Sequence, residues 1–229
     1  MLLIEAAWAT GMAIWVLMVI YGTRWTYDRW IANGMEPMVA VYYNRKIVHM
    51  LAAGVVLLVM PLVFTQPWLP LIGGFALGSF TAYMHKFGGR MHWMQNPDNM
   101  NDSSFAFMLG ISIFLLWILF DDPWLAVLPS LFMAFGDGVT GVVRNKLFSR
   151  RTKSAWGNVA MAIVSLPMGW FIGAASITGI PLWGLIAGAA SSFVERYEFG
   201  PIDDNVLIVV TSTLILIIGA NIGALITMM

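Results

Sequence analysis

The chain alternates long apolar runs with short polar breaks, and the runs are too continuous to be single faces of soluble helices. Eight stand out, near residues 2–23, 46–65, 68–85, 104–120, 124–143, 155–176, 181–196 and 206–227. A helix needs roughly 20 predominantly apolar residues to cross a bilayer. The pattern therefore predicts an all-α fold, a polytopic transmembrane helix bundle of about eight spans. Gln66 with Pro67, Asp122 with Pro123, and Gly179 to Pro181 mark three tight turns between antiparallel runs. The remaining connections, 24–45, 86–103, 144–154 and 197–205, are longer and more polar and belong on the opposite side.

Composition supports this pattern. Hydrophobic residues make up 59% of the 229 positions and charged residues 10%, with a mean hydropathy of +0.79. That leaves too little polar surface to wrap a water-soluble globule, so residues 1–229 are expected to form one integral membrane domain covered by lipid. The first run has no basic flank before it and carries Glu5, so it is expected to be a retained span and not a cleaved signal. A net charge of zero gives no basic balance toward nucleic acid, and the absence of cysteine excludes disulfides and thiol chemistry.

Charge placement says more than its sum. All 12 basic residues lie in or beside the longer connections. Cytoplasmic loops collect Lys and Arg, so these connections are expected inside the cell, with both termini non-cytoplasmic. The three histidines and nine of the 12 acids share that side, with Glu5, Asp121 and Asp122 the exceptions. Acids contribute little to orientation, so their crowding asks for another cause, such as metal and phosphate chemistry.

Three constellations carry candidate chemistry. In the first, Asp137 sits six residues before the inner end of its run, roughly 9 Å below the boundary at the helical rise. A carboxylate there needs a cation or donor. Gly136, Gly138 and Gly141 flank it, allowing either close helix packing or a break with bared N–H groups. An ion pair with Arg144, two turns on, is the plainer structural alternative. The cations Arg144, Lys146, Arg150, Arg151 and Lys153 follow directly and suit phosphates or lipid headgroups.

In the second, Arg45, Lys46 and His49 share one general helix face, able to converge on an anion or simply to anchor and cap at the interface. In the third, Glu195 precedes Asp203, Asp204 and Asn205 at the start of the last run; one acid suits helix capping, and the set suits Mg²⁺. The 86–103 connection, with His92, Asp98 and Asp102, is expected to form a lid or rim. Phosphate-loop and zinc-helix signatures are absent, and the single Asp137-Gly138 pair lacks the later spaced aspartates of CDP-alcohol phosphotransferases.

These segments resemble the CTP-dependent polyprenol kinases, the dolichol and phytol kinase family related to CDP-diacylglycerol synthases. NRKIVHMLAAG from Asn44 is similar to the family's Arg-Lys-x-x-His opening, and FGDGVTGVV from Phe135 to its Gly-Asp-x-x-Ala segment. RTKSAWGNVAM from Arg151 resembles its Lys-Ser-x-Glu-Gly segment, and the late Asp203-Asp204-Asn205 resembles a terminal Asp-Asn element. The order is the family's, covering a core of about 44–229 behind an extra first span, 1–43. Thr140 replaces an alanine of the pattern, Arg144 and Phe148 replace glycines, and Trp156 replaces the glutamate, which resembles an archaeal-type branch.

The resemblance implies transfer of the γ-phosphoryl group of CTP, or another nucleoside triphosphate, to an isoprenoid alcohol of dolichol, phytol or geranylgeraniol type. It implies Mg²⁺ as cofactor and membrane lipids as surroundings. Asp137 is then a metal ligand or base, Lys153 and His49 act in catalysis, and Glu195, Asp203 and Asp204 are further metal ligands. Arg45, Lys46, Arg144, Asn145, Lys146, Ser154 and Gly157 face nucleotide or phosphate, with Gly136 to Gly141, including Gly138 and Thr140, as a backbone cradle. Two alternatives stand beside this: a cytidylyltransferase making a CDP-lipid, and a small membrane transporter, which the intramembrane Asp137 also suits.

Overall fold

The computed structural model describes residues 2–148, 152–200 and 202–223. Among them the fold is all-helical, with no strand beyond an isolated bridge between Phe199 and Ile202. The helices are α1 (Leu2–Ala32), α2 (Pro37–Ile47), α3 (Val55–Val63), α4 (Trp68–Lys86), α5 (Asn101–Phe120), α6 (Pro123–Leu131), α7 (Asp137–Phe148), α8 (Ala155–Ala175), α9 (Pro181–Val194) and α10 (Asp204–Ile222). A π-helical segment, Val48–Gly54, joins α2 to α3, and another, Phe132–Gly136, joins α6 to α7. The described helices thus assemble into eight rods, six of them long and apolar enough to cross a membrane.

Rod ends follow local chemistry. Pro37, Pro123 and Pro181 open their helices at the first turn, where a missing N–H is harmless. Asp122 caps α6 by accepting from Leu125 N–H at 3.1 Å, while its other oxygen accepts from Thr178 N–H at 2.9 Å. One fully buried acid thereby ties the turn before α6 to the turn before α9. Asp121 closes α5 with a φ of 48°, the left-handed stop expected of Asp or Asn.

The α6–α7 rod is the centre of the bundle: 78% of its most apolar window is buried, against 6% for α1. Leu125, Leu128, Leu131 and Phe132 on it are fully enclosed, with Leu57, Leu116 and Met161 packed around them. α8 and α9 cross closely because Gly169 and Gly184 face each other; a β-carbon on either would run into the other's backbone carbonyl.

Two elements differ from expectation. The first helix continues past residue 23 to Ala32, because Thr23 and Thr26 are fastened to its partner rod, Asn44 donating to Thr23 O at 2.6 Å and Thr26 to Asn44 Oδ1 at 2.7 Å. The 86–103 connection is a docked plug with a buried core of Met91, Trp93 and Met94. Trp93 Nε1 donates to Ile20 O at 2.9 Å, and Gln95 Nε2 donates to Thr81 O at 3.0 Å and Asp102 Oδ2 at 2.6 Å. His92 lies edge-on to Tyr27 and Trp93. The expected run ending at 227 is seen as helix to Ile222, with residues 224–227 outside the described part.

Candidate functional site

Each π-helical segment adjoins a residue of the site. His49 lies inside the first, and Asp137 directly follows the second. A π turn admits one extra residue and re-aims the side chains after it, which is why such segments recur at functional positions. The two pack together, with the Phe135 ring filling the space that a side chain at Gly54 would occupy.

Here Lys46 and Asp137 meet, Nζ to Oδ2 at 2.6 Å, both side chains nearly free of solvent. Lys46 reaches the acid past Gly141: a β-carbon there would collide with the lysine stem. His49 Nδ1 stands 3.5 Å from the same Asp137 oxygen. Its ring stacks on Phe105, centroids 4.0 Å apart.

A second pair lies alongside. Arg144 grips Glu195 at two points, 2.6 and 2.7 Å, with both side chains 1% exposed. The guanidinium also donates to Ser154 O at 3.1 Å and Asn158 Oδ1 at 3.2 Å. Gly157 makes room for it, since a β-carbon would overlap Arg144. Asn158 continues the network, donating to Ser192 O and receiving from Ser192 Oγ at its own carbonyl.

Lys153 completes a third. Its ammonium contacts Asp204 Oδ2 at 2.7 Å, Glu195 O at 2.8 Å, Glu198 at 3.1 Å and Glu195 Oε1 at 3.4 Å. Burial works against this charge, but Asp204 and Glu195 outweigh it, and the Lys153 pKa stands above the ordinary lysine value.

These pairs converge. Asp137, Glu195 and Asp204, all buried, each offer a carboxylate oxygen within 4.8 Å of the others. Three oxygen ligands of this kind are a donor set for a hard divalent cation such as Mg²⁺. Each is balanced by its own base, Lys46, Arg144 or Lys153. Arg144's rigid two-point grip fixes Glu195, whereas the ammonium groups of Lys46 and Lys153, point charges on flexible stems, are able to turn toward an incoming phosphate.

Arg45 differs from its neighbours. It is 9% exposed and makes no hydrogen bond or ion pair with another described residue. It lines two cavities at once. One, of about 210 Å³, is bordered by Glu36, Tyr42, Asn96 and Asn145. The other, of about 460 Å³, lies between α1, the α2–α3 rod, α4 and α5, running from Phe64 and Met60 to Arg45 and Asp102. Along α1 it spans Ala9 to Ile20, roughly 16 Å at the helical rise. Its walls are apolar except at one end, where Arg45, His49, Thr81 and Asp102 gather.

Several expected site residues take other roles. In place of a backbone cradle, Gly136 and Gly138 sit within helix and leave room for Ser165 and Met50. The Thr140 hydroxyl donates toward Gly136 O and Gly157 O, joining α7 to α8. Asn145 donates to Val39 O at 3.4 Å, and Lys146 is exposed at the end of α7. Asp203 caps α10 through Val206 N–H at 3.0 Å and accepts from Ser104. Burial raises its carboxyl pKa, against those two hydrogen bonds. The Ser154 hydroxyl is buried with no hydrogen-bond partner among the described residues. Arg150 and Arg151 lie outside the described residues. Trp156, where the resemblance leads one to expect an acid, is 63% exposed, and the cluster's carboxylates come from α7, the end of α9 and the start of α10.

Sequence reasoning missed Asn158, Phe105 and Gln95. An amide within an apolar run is the only signal the first offered; the ring beneath His49 and the loop amide beside Asp102 depend on contacts between distant segments. Compared with family models, curated proteins and solved structures, the chain matches none.

Proposed function

We propose that this protein is a membrane-embedded lipid kinase that transfers the γ-phosphoryl group of CTP, or another nucleoside triphosphate, to an isoprenoid alcohol of dolichol, phytol or geranylgeraniol type. All eight rods cross the bilayer in this reading, with both termini outside and the ion-pair cluster at the cytoplasmic face. One observation carries it: a buried cluster of three carboxylates and three bases touches, through His49, the polar end of a long apolar cavity that Arg45 also lines. A transporter has no need of such an arrangement, whereas a lipid kinase must bring a water-soluble phosphate donor and an apolar acceptor to one point.

Phosphoryl transfer asks mainly for positioning and charge neutralisation. The alcohol chain lies along the apolar walls, its hydroxyl at the Arg45 and His49 end. The alcohol oxygen forms a bond to the γ-phosphorus as the bond to the β-phosphate oxygen breaks, and the nucleoside diphosphate leaves with that electron pair. The hydroxyl proton passes to His49, with Asp137 behind the ring to orient it and stabilise its charge. Arg45 receives phosphate oxygens, joined by Lys46 and Lys153 as they turn from their acids. Asp137, Glu195 and Asp204 would hold Mg²⁺, which when bound neutralises and orients the phosphates.

Purified protein in detergent, given CTP, Mg²⁺ and geranylgeraniol, tests the reading by its products. CDP and a lipid monophosphate support it. Pyrophosphate and a CDP-lipid select the cytidylyltransferase, and an untouched nucleotide ends the enzymatic reading.

A further inference from the structure

The apolar cavity ends on two opposite charges that do not pair with each other. Asp102, in the first turn of α5, is 8% exposed. One of its oxygens accepts from Gln95 at 2.6 Å, while the other has no donor among the described residues. Arg45, on the facing rod, has no partner at all among them. Both border the same cavity, and no ion pair joins them. The Thr81 hydroxyl, also in the lining, is occupied by Leu77 O, Gly78 O and Ser103 Oγ.

An acceptor and a donor on largely buried side chains, both lining the cavity, favour a head group that satisfies both. Before nucleotide binds, a hydroxyl donates a hydrogen bond to Asp102 and accepts one from Arg45; once phosphate oxygens occupy Arg45, the hydroxyl turns to His49. A carboxylate of the same chain length satisfies Arg45 but sets a like charge against Asp102. We infer that Asp102 is a specificity-determining residue that reads the hydroxyl of the bound lipid and rejects fatty acids, which a membrane offers in the same apolar form. This rests on the lipid-alcohol reading for the identity of the ligand, and adds to it the group that selects the head. Gln95, held by Thr81 O and itself fixing the docked plug through Met91 N–H, positions the Asp102 carboxylate.

The test measures binding without nucleotide. Tritiated geranylgeraniol bound to purified protein at neutral pH is competed with unlabelled geranylgeraniol or with the carboxylic acid of the same chain. On the wild-type protein the acid competes at least about tenfold more weakly, since like-charge juxtaposition outweighs the shared apolar contacts. D102N removes the repulsion and narrows the ratio at least about fivefold, whereas D102E retains the preference. Equal competition on the wild type, or an unchanged ratio in D102N, overturns the inference; if D102N does not fold, the wild-type ratio decides alone. Because no nucleotide is present, the outcome is separate from the kinase reading. Selective alcohol binding with CTP left intact refutes the kinase and keeps Asp102 as head-group reader, and phosphorylation of the alcohol without selectivity does the reverse.

Discussion

Arg144 and Glu195, 51 residues apart in the chain, hold each other at 2.6 and 2.7 Å with 1% of either side chain exposed. Removing one partner from such a pair leaves a buried charge unanswered, whereas replacing both with apolar residues is often neutral. Arg144→Met is therefore expected to lower stability in detergent by about 3–5 kcal/mol. The double variant Arg144→Met/Glu195→Met should recover most of that loss. Denaturant titration of the three proteins, followed by tryptophan fluorescence, measures both effects.

Gly141→Ala places a methyl group where the stem of Lys46 passes on its way to Asp137. The lysine must move and its contact with the acid loosen. Overpacking of this kind costs about 1–3 kcal/mol. Phosphoryl transfer should fall by more than stability alone accounts for, and initial rates on protein that remains folded at the assay temperature check this.

His49→Phe preserves the stack on Phe105 but removes both ring nitrogens. The rate should drop about 10²–10⁴-fold, as for loss of a general base. The bound fraction of geranylgeraniol should change little, so a fall in kcat with a nearly constant KM is the expected signature.

Gly73 lines the apolar cavity with open space where its side chain would begin. Gly73→Phe fills that space without a clash at the β-carbon. KM for the alcohol should rise about tenfold, in line with the loss of apolar contact area, while nucleotide affinity stays unchanged. Steady-state kinetics with each substrate varied in turn separates the two.

Lys153 titrates above the ordinary lysine value because Asp204 and Glu195 outweigh its burial. A group whose folded pKa is raised stabilises fully below its unfolded pKa, about 10.4 for lysine, and loses that contribution as pH climbs through the folded value. Lys153→Met should therefore be less stable than the wild type by a constant amount from neutral pH to near that unfolded pKa. At higher pH the difference shrinks. Melting temperatures across that range test the sign.

The apolar runs were legible because lipid enforces length and continuity, and each of the eight runs corresponds to a helical rod. The partners of the charges were not. Spacing on one helix offered Arg144 to Asp137, but Arg144 reaches Glu195 and Asp137 is met by Lys46, 91 positions away. Pairing across the bundle depends on which rods touch, and helical periodicity carries no information on that. The π segments were equally hidden: Pro61 and Pro129 lie outside them, so neither marks the change of pitch. The plug of residues 87–100 reads as a polar loop because its anchors, Trp93 and Gln95, bind backbone carbonyls of distant segments.

The central claim is that Asp137 and its surrounding bases hand a phosphoryl group to a lipid hydroxyl. It is tested most directly by incubating the purified protein with CTP radiolabelled at the γ-phosphorus, Mg²⁺ and geranylgeraniol, then counting label in the organic phase. The account predicts label in a lipid monophosphate with the wild-type protein and about a hundredfold less with Asp137→Asn. Equal transfer by folded Asp137→Asn, or no label in lipid with the wild type, would contradict it.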